Sequence, residues 1–381
     1  MRAVFEDLNS REREMVQLLG RFVACESPSH DRAAVDRLGN MVAEEWRRRG
    51  ANVRILRQSK RGDHVRAEMW RGESGAAEQQ ITVLGHLDTV YPLGTLAKTP
   101  FRVAGGRAWG PGTFDMKAGL VLALFAVEVL KAAGIRPRRR IVFLWTSDEE
   151  IGSASSRQAI EREARRSRAV LVLEPALGAD GLLKTSRKGL GTAEVIVTGR
   201  AAHAGVNPGE GVNAVHELAL QIERLMEMND RRRGITVQAT MVSGGTASNV
   251  IPEHASAAVD LRFRRRADAR ALERNIHSLR PISKGARVEV RGGVNRPPLE
   301  RTAAVLDLFR RAQSLMGEMG LALGEAATGG GSDGNLTAAL GVPTLDGLGA
   351  VGDGAHSPRE HILIHKLPER AALLAGLLAT L

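Results

Sequence analysis

Five segments of the chain carry side chains that bind borderline divalent metals: Gly85-His86-Leu87-Asp88-Thr89, Thr113-Phe114-Asp115-Met116-Lys117, Asp148-Glu149-Glu150, Leu173-Glu174-Pro175 and Ala355-His356-Ser357. Imidazole and carboxylate are donors that Zn²⁺ accepts, and a catalytic site keeps a position open for water and substrate. Together the five read as one two-metal site in which a carboxylate bridges. Singly, each reads equally as a solvated or hydrogen-bonded polar group, and Asp148-Glu149-Glu150 as acids favoured at a helix N-terminus.

Elements that could gather them are visible. Ile81-Thr82-Val83-Leu84, Ile141-Val142-Phe143-Leu144-Trp145 and Val170-Leu171-Val172-Leu173 are short, β-rich apolar runs, and a metal-binding side chain follows each. Buried parallel strands read as continuous apolar runs, and an open α/β sheet collects its chemistry at the carboxyl ends of its strands. Leu120, Leu124, Val127 and Leu130 recur at helical spacing within 117–133, which predicts a crossover helix with Asp115 just before it. A further helix is expected over 31–49, with Val35, Leu38, Val42 and Trp46 on one face.

The motifs GHLDTV, GPGTFDMKAG, DEEIGS, LEP and AHS occur in this order. From about Glu14 to the last residue, the chain thereby resembles the dinuclear-zinc exopeptidases and deacylases, which include glutamate carboxypeptidases of the carboxypeptidase G type, aminoacylase and succinyl-diaminopimelate desuccinylase. The glutamate carboxypeptidase branch is resembled most, through Thr328-Gly329-Gly330-Gly331-Ser332-Asp333 and Asn249-Val250-Ile251-Pro252. The resemblance implies two Zn²⁺ per subunit, with Co²⁺ or Mn²⁺ as substitutes. His86 and Glu174 would hold one ion, Glu150 and His356 the other, and Asp115 both. Asp88, two residues on, would accept the imidazole N–H and fix the tautomer of His86. Glu149 is the expected general base: it would deprotonate a water between the ions, whose hydroxide attacks the amide carbonyl, and pass the proton to the leaving nitrogen.

His203 matches a histidine that, in the resembling enzymes, reaches the partner subunit's active site and donates to the oxyanion, with Asn249 assisting; read alone, it caps a loop. Arg296 matches the position that holds the substrate's terminal carboxylate. Arg262 either serves a second carboxylate or neutralises its sheet face, while Gly330, Gly331 and Ser332 would line the same pocket. The implied partners are a small peptide or N-acyl amino acid with a free carboxylate, and a second copy of the chain. The expected activity is that of a zinc metallocarboxypeptidase releasing a C-terminal amino acid, glutamate being one option. An N-acyl amino acid deacylase of the same family is the alternative, and a non-catalytic binding protein a third reading.

The pattern changes near Lys188 and returns near Arg296. Between them Ala193-Val195-Val197 and Ala257-Val259-Leu261-Phe263 alternate with polar residues, and 212–228 and 268–279 read as amphipathic helices. The expectation is an α/β fold: a mainly parallel-sheet zinc-exopeptidase catalytic domain over 1–187 and 297–381, with an inserted α+β, ferredoxin-like lid and dimerisation domain over 188–296.

A net charge of +11 would suit a nucleic-acid binder, but aromatic residues make up only 3% of the chain and the arginine clusters are dispersed. A solvated surface, drawing in anionic substrates, is the expected meaning, with no nucleic-acid partner. The longest apolar stretch, 120–127, falls short of a membrane span, and the start, Met1-Arg2-Ala3-Val4-Phe5-Glu6-Asp7, does not read as a secretory signal, so a cytoplasmic protein without membrane attachment is expected. Cys25, the single cysteine, is given no catalytic part.

Overall fold

The strand Gln80–His86 is buried at every residue, and so is its neighbour Ile141–Thr146, as their unbroken apolar character requires. The computed structural model describes residues 1–70 and 79–381. In it Gln80–His86 is flanked on both sides by parallel strands, Ile141–Thr146 and Ser167–Val172, and Thr344–Leu345 extends the parallel part. His64–Met69 and Asn52–Leu56 continue the other edge antiparallel, giving six strands.

Both faces of this sheet are covered. On one, Ile81, Val83, Phe143, Trp145 and Leu171 join a core with Val35, Leu38, Val42 and Trp46 of the helix Arg32–Arg48. On the other, Leu84, Leu144, Val170 and Val172 meet Ala159, Ile160 and Ala164 of the helix Arg157–Arg165, together with Leu336. The crossover helix Ala118–Ala132 buries nearly every residue, because Leu367–Thr380 and Glu12–Val23 pack against it as well. That explains why its sequence is apolar all round rather than on one stripe.

The chain divides into two compact units, one of Met1–Ser186, Arg301–Ala327 and Ser332–Leu381, the other of Arg187–Glu300 and Thr328–Gly331. The second contains a four-stranded antiparallel sheet in the order Thr236–Gly244, His254–Phe263, Gly189–Thr198, Arg287–Arg296. One face buries Val195, Val197, Val259 and Leu261 against Leu218, Leu225, Leu272 and Ile276 of the helices Ala214–Glu227 and Arg266–His277. This is an inserted α+β unit within an α/β chain.

Its limits differ from 188–296 at one instructive place. The glycine turn 328–331 groups with the insert, because Lys188 N–H donates to Thr328 O at 3.0 Å and the Arg187 guanidinium to the carbonyls of Gly330 and Gly331 at 3.2 and 3.0 Å. No helix among the described residues is long and apolar enough to cross a membrane.

Candidate metal and catalytic site

Register places the first donors. Leu84 pairs with Val172, so two residues further His86 stands level with Glu174, and their side chains meet at 3.5 Å between Nε2 and Oε1. His86 also pairs with Thr146, from which the chain runs directly into Asp148 and the short turn Glu149–Ile151. Three parallel strand ends thus present His86, Glu149, Glu150 and Glu174 together.

Asp115 comes from the turn before the helix Ala118–Ala132, where the Asp115–Met116 peptide bond is cis. Met116 anchors this turn, and its sulfur lies 3.0 Å from the His86 backbone nitrogen. A Cβ at Gly85 would come within 2.6 Å of that sulfur, and one at Gly119 within 2.7 Å of the Leu173 carbonyl oxygen, a backbone clash that calls for glycine at position 119. His356 lies in the loop between Gly352–Asp353 and His361–Leu363 and takes φ 60°, in the left-handed region that side chains rarely occupy.

The carboxylate of Asp115 stands between the two imidazoles: Oδ1 is 3.1 Å from His86 Nε2 and Oδ2 is 3.3 Å from His356 Nε2. His356 Nε2 is also 3.3 Å from Glu150 Oε2, while Glu150 Oε1 is buried without a hydrogen-bond partner among the described residues. Donor atoms of His86, Glu149 and Glu174 lie within 4.8 Å of one another, as do those of His86, Asp115 and Glu150. Such a set suits a divalent cation: imidazole and carboxylate donors converge, and a buried carboxylate oxygen finds no partner among the described residues.

Titration behaviour agrees with a cluster built for positive charge. Burial lowers the pKa of His86, yet its bonds with Asp115 and Asp88 outweigh that and hold it well above the ordinary imidazole range. Hydrogen bonding to Asp115 and then to Glu150 raises His356 to about 10. For Asp115 burial acts upward, but the bonds from His356 and His86 hold the carboxyl well below its usual range. Burial, only partly offset by His356, raises Glu150 to about 7.

Asp88 meets His86 through two acceptors. The nearer acceptor for His86 Nδ1 is the Asp88 backbone carbonyl at 2.9 Å, and the carboxylate stands 3.5 Å away. That carboxylate is engaged elsewhere: it accepts from Ser29 Oγ at 2.7 Å and from the backbone N–H groups of Glu149 and Glu150 at 3.2 Å each. Asp88 therefore touches His86 through both its main chain and its carboxylate, and the carboxylate also holds the backbone of Glu149 and Glu150.

Two residues near the site have no counterpart among those expected from sequence, and a third, Cys25, adjoins them. Glu360, 1% exposed, receives the backbone N–H groups of Gly112, Phe114 and Asp115 at 2.9, 2.8 and 2.9 Å and the Tyr91 hydroxyl at 2.6 Å. Lys117 is buried with its ammonium on the Cys25 carbonyl, and burial lowers its pKa to about 8. For Cys25 itself, burial raises the thiol pKa, which leaves it a poor nucleophile.

The remaining expected residues divide. In the first unit, the Ser332 hydroxyl is fully buried, donates to Asp346 at 2.6 Å and accepts from Gly334 N–H at 3.1 Å. With both functions taken inside the fold, it does not line a substrate pocket. In the second unit, Arg262 forks onto Asp260 of its own strand through Nε and Nη2, each at 2.9 Å, which favours the charge-neutralising role. Arg296 is 3% exposed, and a Cβ at Gly331 would lie 3.8 Å from its Cδ.

His203 and Asn249 sit on exposed backbone, where His203 pairs with Val250 across a two-residue ladder. Nδ1 of His203 accepts from the N–H groups of Gly205 and Val206, both at 3.1 Å. This is the loop cap expected of the residue alone, and it fixes the tautomer with the proton on Nε2.

Comparison with known proteins places this arrangement. The chain matches Peptidase family M20/M25/M40 over residues 82–380 and belongs to that family. It is a hydrolase of the metallopeptidase class. Carboxypeptidase G2 from Pseudomonas sp. (strain RS-16) is 31% identical over 99% of this chain and 92% of its own. A succinyl-diaminopimelate desuccinylase from Burkholderia multivorans is 30% identical over 78% of this chain and 83% of its own. Among solved structures, the M20 family metallo-carboxypeptidase from Sulfolobus solfataricus aligns with a TM-score of 0.74 at 18% identity, covering 97% of this chain and all of that one. At that identity the likeness concerns the fold.

Proposed function

We propose that the chain is a dizinc carboxypeptidase that cleaves the amide bond to a C-terminal amino acid of small peptides or N-acyl conjugates. The observation that carries this reading is the placement of Asp115, whose two oxygens each face an imidazole with a further carboxylate beside it. His86 and Glu174 would hold one ion, His356 and Glu150 the other, with Asp115 common to both. Bound zinc would supply Lewis-acid polarisation of the scissile carbonyl and acidify a water. Glu149 takes the proton of the attacking water and delivers it to the leaving nitrogen as the tetrahedral species collapses. His203, with its donor at Nε2, is assigned to the oxyanion.

Likeness to carboxypeptidase G2 along nearly the whole chain supports the carboxypeptidase reading, while the motif resemblance supports glutamate as the released residue and Arg296 as its carboxylate anchor. Hydrogen bonds to charged groups contribute about 1.5–3 kcal/mol, so Arg296→Ala is expected to raise KM for an N-acylated glutamate roughly 10- to 100-fold with a smaller change in kcat. Steady-state kinetics on N-acyl glutamate, neutral N-acyl amino acids and dipeptides test both points. Faster turnover of neutral N-acyl amino acids would favour the deacylase reading, and an unchanged KM would remove Arg296 as anchor.

The functional unit is proposed to be a homodimer formed through the second unit. Thr236–Gly244 is an edge strand of its sheet, and Met241 and Val242 on it are 72% and 61% exposed. Exposed apolar residues on an unpaired edge mark an interaction surface. Met241→Asp should shift sedimentation from dimer to monomer; a wild type that sediments as a monomer at micromolar concentration would rule the dimer out.

A further inference from the structure

Glu360 stands outside the donor set, yet its carboxylate is the point at which two donor-bearing loops are joined. It lies on the loop that carries His356, four residues after it. Its Oε1 accepts from Phe114 N–H at 2.8 Å and Asp115 N–H at 2.9 Å, and its Oε2 from Gly112 N–H at 2.9 Å. The Tyr91 hydroxyl donates to Oε2 at 2.6 Å and lies 3.1 Å from the carbonyl oxygen of Ser357, next to His356. A third segment, just after His86 and Asp88, is tied in by the same contact.

Four donors on one carboxylate, three of them peptide N–H groups of a single turn, define an anion nest whose anion is a protein side chain. Donors of this kind bond a carboxylate more strongly when it is ionised than when it is neutral. The backbone of Asp115 is thereby fixed to the loop of His356, the residue whose Nε2 stands 3.3 Å from Asp115 Oδ2.

We infer that Glu360, assisted by Tyr91, is a positioning residue that sets the spacing of Asp115 and His356 and so the affinity for the ion those two share. This rests on the metal centre proposed above. Groups that orient ligands from behind typically change metal affinity about 10- to 100-fold when altered. Glutamine is the informative replacement, because it keeps the volume while its amide turns a donor toward N–H groups that need an acceptor.

The test is a chelator competition titration of Zn²⁺ on the full chain, with Co²⁺ absorption as a second readout. Glu360→Gln is expected to weaken the ion held by Asp115 and His356 by about 10- to 100-fold, to weaken the other ion, which shares Asp115 but not His356, by less, and to alter the cobalt spectrum most at the first site. Tyr91→Phe, which leaves the three peptide donors in place, should weaken it less, by roughly 3- to 10-fold. Glu45→Gln serves as the structural control, since Glu45 is a buried carboxylate bonded to Arg49 at 2.7 Å with no contact to the site, and it should lower thermal stability while leaving both affinities unchanged.

Two ions bound by Glu360→Gln as tightly as by the wild type would overturn the inference and leave the metal centre standing. A wild type that binds no divalent ion would sink the metal centre, and this inference with it. If Glu360→Gln does not fold, Tyr91→Phe decides: an affinity within twofold of the wild type counts against the positioning role.

Discussion

Replacing Glu149 with glutamine is expected to lower kcat by about 10²–10⁴-fold while the protein keeps its full complement of metal. The carboxylate is the group with a proton to take and return, and an amide of the same size can do neither. Its backbone should not move on substitution, because the N–H of residue 149 is held by Asp88 Oδ1 at 3.2 Å and that of residue 150 by Oδ2 at 3.2 Å. Loss of an interaction made only on the way to the transition state lowers kcat and kcat/KM together.

Metal analysis alongside the kinetics separates base from ligand. The donor atoms of Glu149 also fall within 4.8 Å of those of His86 and Glu174, so a ligand role is geometrically open, and a variant stripped of one ion would assign Glu149 to it. Retention of more than a tenth of wild-type kcat would exclude Glu149 as the base.

Sequence reasoning succeeded where local pattern and tertiary position coincide. Ile81-Thr82-Val83-Leu84 and its two companion runs are continuous and apolar because parallel strands are covered on both faces, and parallel register then brings the residues that follow them to one edge. The pattern alone brought the ends that carry His86, Glu149-Glu150 and Glu174 to one edge, while the pairing of His86 with Glu174 came from the family resemblance. In the insert, the alternation of Ala193, Val195 and Val197 reports a sheet with one covered face.

What the sequence concealed depends on bonds with no local signature. Glu360 meets the Asp115 backbone from 245 positions away, and an acid in a loop carries no mark of being a backbone acceptor. The Asp88 spacing suggested contact with His86, but not that the carbonyl would be the nearer acceptor or that the carboxylate would also hold the backbone of Glu149 and Glu150. Ser332 shows the reverse error. A polar residue type that suits ligand binding was already satisfied by Asp346, a partner that becomes a neighbour only on folding, whereas Arg262 on Asp260 fits the charge-neutralising one of its two expected roles.

Asp115→Asn is expected to be more damaging than the loss of Glu149, with kcat down by roughly 10⁴-fold or more, because the ions and the water that Glu149 acts on would be lost together. Asparagine offers one carbonyl oxygen where the carboxylate offers two, so it can serve one ion and cannot bridge. Atomic absorption should find one ion or fewer per chain, and two tightly held ions would show that Asp115 is not shared.

The same carboxylate governs the pH dependence of metal uptake. In the metal-free protein His86 and His356 have raised pKa values, the latter to about 10 through its bonds to Asp115 and Glu150. Their contribution to metal-free stability is therefore complete below the unfolded imidazole value, about 6.5, and is lost as pH rises through the folded values. Metal requires the neutral imidazoles, so wild-type affinity should climb about tenfold per pH unit for each proton displaced over that window, while metal-free melting temperature falls. Asp115→Asn removes the carboxylate whose bond does most to hold the proton on His356, and should flatten both trends even though it weakens binding at every pH.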